Sequence, residues 1–144
     1  MNHPPQPADT ARLLQIARDA AARAYSPYSG WRVGAAIEFT DGGIYPGANV
    51  ENVSYGLTIC AERTAVVAGV VAGGQRLVRV AISCFDSAGD LVPTVVPCGA
   101  CLQVLAEFGG GDTAVIIDGG GQFQLRDFVP HPFAAEGPKP GNGV

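Results

Sequence analysis

Two cysteines separated by two residues, Cys98 and Cys101 in Pro97-Cys98-Gly99-Ala100-Cys101, can close on one metal ion where a turn runs into a helix. They supply half of a tetrahedral shell. Cys60, followed two residues later by the carboxylate of Glu62, is a third soft donor that would leave the fourth position open to water, with a proton acceptor beside it. Cys60 and Cys98 both fall at expected helix starts, where free N–H groups and partial positive charge favour the thiolate that metals bind. The cysteines alone also permit a redox pair, a closed structural zinc site or ordinary buried thiols. A closed site needs a fourth ligand, yet the two histidines, His3 and His131, lie in terminal regions expected to be loose. Cys84 competes as the third ligand, but it shares an expected strand face with Val78, Val80 and Ile82 and reads as a core residue.

For these groups to meet, helices and a sheet must carry them. Leu13, Ile16, Ala17, Ala20 and Ala24 recur at helical spacing and predict a first helix over 10–24, with Asp9 as its cap. Pro27 and Gly30 end it, and strands are expected over 31–40 and 44–48 around the hairpin signal Asp41-Gly42-Gly43. A polar connection over 49–58 delivers the chain to a second helix over 60–72. That helix is apolar on every side beyond Thr64, so it is expected to be buried all round, partly against other copies of the chain. A strand over 77–85, a third helix over 98–108, a strand over 114–118 and an extended piece over 122–126 complete the pattern. Strands separated by helices imply crossovers and parallel members. The expected fold is therefore α/β, a three-layer α/β/α sandwich with a mixed sheet of about five strands that opens with an antiparallel hairpin.

At 144 residues and 47% hydrophobic, the chain has the size of one domain with a real core, expected over 9–133. Residues 1–8 read as a mobile arm and 134–144 as a disordered tail, both rich in proline or glycine with little to bury. Nine Lys and Arg against 13 Asp and Glu give a net charge of -4 with no basic cluster, which argues against a nucleic-acid surface. No apolar run suits a secretory signal or a bilayer span, so the expected location is the cytoplasm, where four cysteines remain reduced thiols.

The combined pattern narrows the choice. Cys60-Ala61-Glu62 and Pro97-Cys98-Gly99-Ala100-Cys101 match the zinc deaminase arrangement of a His or Cys, one residue, Glu, and then Pro-Cys-two residues-Cys. Pro27-Tyr28-Ser29, Val33-Gly34-Ala35-Ala36, Asn49-Val50-Glu51-Asn52, Tyr55 and Cys60 to Ala65 closely resemble the small homotetrameric cytidine deaminases of nucleoside salvage, over about residues 13–133. The resemblance implies one Zn²⁺ per subunit held by Cys60, Cys98 and Cys101, with water in the fourth position. It makes Glu62 the proton shuttle for attack on C4 of cytosine. It also implies that Asn49 and Glu51 bind the ribose and that the backbone N–H of Ala61 meets the pyrimidine O2.

Further residues follow the same resemblance. Trp31 stands where the family usually has a phenylalanine lining the base pocket, and Phe133 resembles the aromatic that covers the base in a neighbouring subunit's site. Tyr55 resembles a residue near the ribose 5′ end across an interface. Three thiolates and one Zn²⁺ leave net negative charge, which Arg63 would drain by hydrogen bonding to sulfur. The family commonly has a second arginine directly after the last cysteine; here that position is Leu102. The expected activity is zinc-dependent deamination of cytidine and deoxycytidine by a homotetramer with shared sites. Deamination of another aminopyrimidine nucleoside, such as an antibiotic, and a non-catalytic zinc-stabilised binding module are the alternatives.

Overall fold

The computed structural model describes residues 7–135. Along these the chain forms α1 (Pro7–Ala21), β1 (Arg32–Phe39), β2 (Ile44–Ala48), α2 (Ala61–Val71), β3 (Leu77–Phe85), α3 (Gly99–Phe108), β4 (Ala114–Ile117), β5 (Gly121–Gln124) and α4 (Leu125–Phe128), with a 3-10 turn at Tyr55–Leu57. The sheet order is β2-β1-β3-β4-β5. Only the β3–β4 pair is parallel, and α3 lies in the crossover that a parallel pair requires.

The period of two along the strands sends alternate residues to opposite layers. Ala35 and Ile37 of β1, Val80 and Ile82 of β3, and Val115 and Ile117 of β4 pack with Ala61, Ala65 and Val66 of α2 and Leu105 and Ala106 of α3. The intervening Ala36, Ala81 and Ile116 pack against Leu13 and Ala17 of α1. One helix thus covers one face, two cover the other, and the expected three layers are present. Each large side chain in this core, such as Phe39 or Leu105 at no more than 1% exposure, contributes about 1.5–3 kcal/mol by leaving water.

Glycines set how closely the layers approach. A Cβ at Gly34 would fall on the Ala17 carbonyl and the Ala21 amide of α1. One at Gly47 would fall on the Ala61 carbonyl and the Ala65 amide of α2. Both helices therefore rest on the sheet backbone to backbone, on opposite faces.

Several expected boundaries move. The first helix begins at Pro7, so residues 7 and 8 belong to it rather than to an arm, and Asp9 sits in its first turn, not at its cap. Proline suits a first helical position because its missing N–H has no helical partner there. The helix ends at Ala21, three residues early. The backbone of Tyr25 instead pairs with the 49–51 segment, its N–H donating to Asn49 (3.0 Å) and its carbonyl accepting from Glu51 (2.9 Å). The rest of the arm and the tail beyond Ala135 lie outside the described residues. A register shift between Glu38 and Phe39 sets Phe39 opposite Leu77, so Leu77 takes the core place expected for Val78, which is only half-buried. Leu125 and Arg126 leave the extended conformation for the short helix α4, capped by reciprocal bonds between Gln124 and Asp127. Finally, α2 is not buried all round in the single chain: Ala65, Val66 and Gly69 are buried, while Val67 and Val71 are 58% and 89% exposed.

Candidate active site

Cys60 and Cys98 are the N-cap residues of α2 and α3, and Cys101 follows within the first turn of α3, wholly buried. Both caps have extended backbones and neither side chain caps its own helix, so the sulfurs are left to face one another. The three Sγ atoms lie within 4.8 Å of each other. Hydrogen bonding from Cys101, assisted by Arg63, holds the Cys60 thiol down to about 5 against the effect of burial. Sharing its proton with Cys60 and being buried push Cys101 upward. Three sulfurs at this spacing are the donor set that a thiolate-seeking cation such as Zn²⁺ binds in place of their protons. Cys84 is not in the cluster. It is 2% exposed on β3, and burial pushes its thiol up to about 11.

Glu62, the second residue of α2, is 4% exposed. Burial raises its carboxyl to about 7, and the negative charge of Cys60 adds to this. Its own backbone N–H, Cys101 and Arg63 work the other way. Arg63 turns back toward the cap: its Nη2 donates to the Thr58 carbonyl (3.3 Å) and to Cys60 Sγ (3.6 Å), while its Nε is buried without a partner. Leu102 packs against the α2/α3 core.

The family model described as "Cytidine and deoxycytidylate deaminase zinc-binding region" matches residues 7–117, a span that includes all three sulfurs and Glu62. The chain belongs to this deaminase family. It is 41% identical over 132 residues to a cytidine deaminase of Halalkalibacterium halodurans, covering 89% of this chain and 96% of the relative. It is 50% identical over 107 residues to the cytidine deaminase of Mycobacterium tuberculosis, covering 74% of this chain and 77% of the relative. The crystal structure of the M. tuberculosis cytidine deaminase superposes with a TM-score of 0.75 at 43% identity, covering 88% of this chain and 98% of that one. That of the Burkholderia pseudomallei cytidine deaminase superposes with a TM-score of 0.77 at 34% identity, covering 92% and 100%.

Within this deaminase fold the other expected site residues are placed unevenly. Ala61 opens α2 and is fully buried, and its N–H belongs to the first turn, where no intrahelical acceptor exists. Asn49 is 8% exposed, and its amide is engaged from both ends: Oδ1 accepts from the Val33 N–H (2.9 Å) and Nδ2 donates to the Trp31 carbonyl (3.0 Å). Glu51 accepts from the N–H groups of Tyr28 and Ser29, each at 3.1 Å. Trp31 is 41% exposed in the loop before β1. Tyr55 is exposed and packs edge-on against Tyr28, with ring centroids 5.7 Å apart. Phe133 also has an exposed ring. Its carbonyl accepts from Gln103 Nε2 (3.0 Å), tying the last described residues to α3.

Two arrangements were not foreseen from sequence. One is the pinning of the Tyr28–Trp31 loop by Asn49 and Glu51; the presence of both Pro27-Tyr28-Ser29 and Asn49-Val50-Glu51 in the family pattern is the available signal. The other is a half-buried ion pair on the α1 face. Asp118, 3% exposed just past β4, receives both Arg18 Nε and Nη2 at 2.7 Å and the Ser83 hydroxyl at 2.7 Å. Its partners are 100 and 35 residues away, and no local pattern announces them.

Proposed function

We propose that this chain catalyses the zinc-dependent hydrolytic deamination of cytidine and 2′-deoxycytidine to uridine and 2′-deoxyuridine, with release of ammonia, as a step of pyrimidine salvage. The observation that carries the reading is the clustering of three sulfurs within 4.8 Å beside a carboxyl that is 4% exposed, in a chain of the deaminase family. Three protein ligands leave a tetrahedral ion one open position, as catalytic zinc sites do.

Cys60, Cys98 and Cys101 hold the metal in this reading. When bound, zinc supplies the Lewis acidity that makes water a nucleophile near neutral pH. Glu62 takes a proton from the water as its oxygen bonds to C4, and delivers it to N3, where charge would otherwise build. The same carboxyl then carries the remaining hydroxyl proton to the exocyclic amine. The C4–N4 bond breaks, ammonia departs and C4 is left as the carbonyl of uridine. Burial of Glu62 serves this role by excluding bulk water from the transfer. Arg63 holds Cys60 from the cap side and offsets the charge of the thiolates. The Ala61 N–H meets the pyrimidine O2, Trp31 lines the base, and Asn49 and Glu51 face the sugar. Since the Asn49 amide already bonds to Val33 and Trp31, it offers a ligand only its remaining lone pair and proton.

The same reading makes the protein a cytoplasmic homotetramer whose sites borrow Phe133 and Tyr55 from neighbours. Both rings are more than 70% exposed in the single chain, as is Val71 on the outer face of α2, and apolar surface of this kind seeks a partner. Among the described residues no helix is long and apolar enough to cross a membrane. The test is to quantify bound zinc and follow cytidine loss by ultraviolet absorbance in the wild type and in Glu62→Gln. The expected result is one zinc per chain in both and turnover in the wild type alone. Zinc in both with turnover in neither would overturn the proposal.

A further inference from the structure

The turn from Ser26 to Trp31 links α1 to β1 and carries two aromatic residues, Tyr28 and Trp31. It is closed by the Gly30 N–H donating to the Ser26 carbonyl (3.0 Å), with Gly30 in the left-handed region at φ 73. Its outer half is held by two side chains of the 49–51 segment. Asn49 grips the carbonyl of Trp31 and the N–H of Val33, and Glu51 grips the N–H groups of Tyr28 and Ser29. Ser29 touches both ends of this arrangement. Its hydroxyl accepts the Trp31 N–H at 3.0 Å, and its backbone N–H donates to the Glu51 carboxylate at 3.1 Å.

A carboxylate has about four acceptor sites. The two N–H groups take two, so others remain for a hydroxyl arriving from outside, in an orientation that the protein has already fixed. A carboxylate with fewer internal bonds would swing, and a sugar hydroxyl would have to order it on binding. The backbone N–H of Trp31, bonded to the same serine, is held in register with that carboxylate.

We infer that Ser29 is a positioning residue that couples the carboxylate facing the sugar to the aromatic facing the base, its hydroxyl tying the turn to the Trp31 backbone and the turn's N–H groups holding Glu51. The inference rests on the deaminase reading above. Ser29 is exposed, so removing its hydroxyl releases the turn from the Trp31 N–H without opening the core. It acts through Glu51 and Trp31 and has no part in the proton transfers of Glu62.

The test uses the full-length zinc-loaded protein, with Ser29→Ala and Ser29→Thr, on cytidine and on 2′,3′-dideoxycytidine, which lacks both ring hydroxyls. Ser29→Ala should raise KM for cytidine about 5- to 20-fold while changing kcat less than about threefold. It should also reduce the preference for cytidine over the dideoxy analogue by about fivefold or more, because a loosened carboxylate no longer rewards the hydroxyl. Ser29→Thr, which keeps the hydroxyl, should recover the wild-type values to within about twofold. Trp31 is the only tryptophan of the chain, so its emission and its quenching by acrylamide report the loop directly, and both should change in Ser29→Ala. Undiminished discrimination between the two substrates, or an unaltered Trp31 signal in Ser29→Ala, would overturn the role of Ser29 alone. A wild type that does not turn over cytidine would instead overturn the deaminase reading on which it stands.

Discussion

Glu62 and Asp118 are both carboxylic acids, 4% and 3% exposed, on opposite faces of the same sheet, and their surroundings push them in opposite directions. Around Asp118, the bidentate Arg18 guanidinium holds the carboxyl below its ordinary value against the effect of burial, with the Ser83 hydroxyl assisting. Around Glu62, burial and the charge of Cys60 outweigh the hydrogen bonds it receives, and the carboxyl rises to about 7. The α1 face therefore has a satisfied ion pair that locks a helix to two strands. The α2/α3 face keeps a carboxyl that can exist with or without its proton, and the cation near it, Arg63, is turned toward sulfur. Equal burial says little about role; the partners decide.

The comparison breaks most visibly at Glu62. Glu62→Gln should lower kcat by about 10²–10⁴-fold while leaving the melting temperature equal or higher, since a neutral amide no longer opposes burial. Retention of turnover to within tenfold would place Glu62 in the same structural class as Asp118. The converse substitution, Asp118→Asn, should cost about 2 kcal/mol in urea unfolding at pH 7. This is less than the 3–5 kcal/mol of a fully buried pair because Arg18 is 43% exposed on its side chain. Its kcat should stay within about twofold of the wild type. Loss of turnover in a folded Asp118→Asn protein would tie the α1 face to the chemistry.

The acid side sharpens the contrast. Because folding lowers the Asp118 carboxyl, the unfolded chain binds more protons between the folded and unfolded values, and stability there rises with pH. The contribution is complete above the unfolded value of about 3.9 and fades as pH falls through the folded one. The stability gap between wild type and Asp118→Asn should therefore narrow when urea midpoints are taken from pH 6 down to pH 3. A smaller effect is expected one position beyond the sulfurs. Leu102→Arg would bring the α2/α3 face one cation nearer to the balance seen around Asp118, at the expense of half-buried leucine packing, and should lower stability by about 1 kcal/mol. A higher melting temperature would show that unbalanced negative charge, not packing, governs that position.

The two carboxyls were also unequally legible in the sequence. Cys60 and Glu62, and Cys98 and Cys101, act through spacings of two and three residues, and a helix start turns such a spacing into a geometry without help from the rest of the chain. The alternation Ala35, Ile37 and Val80, Ile82 similarly exposes one face of the sheet to a reader who knows only its period. Asp118 depends on Arg18, a hundred residues away, and a lone aspartate after Ile117 looks like any strand end. Val78 was assigned inward by the alternation, and the register shift at Phe39 gave the place to Leu77. Gln122 to Arg126 was expected to stay extended, and a capping pair of side chains turned its second half into a helix. Asn49 was legible as a functional amide, but its bonds to Val33 and Trp31 depend on how β1 and the 49–51 segment meet.

Gly47 has a further bearing on the metal. The first turn of α2 rests against it through the Ala61 carbonyl, the Ala65 amide and the Thr64 hydroxyl, so the depth at which the Cys60 sulfur sits is set by a hard stop on a neighbouring strand and not by Cys60 itself. A single added methyl group there acts as a wedge. It lifts one corner of a three-cornered clasp and leaves the other two, on α3, where they were. A chain altered in this way keeps every donor atom and still loses its grip on the ion. In such a centre, the tolerance for error belongs to a residue that carries no ligand at all.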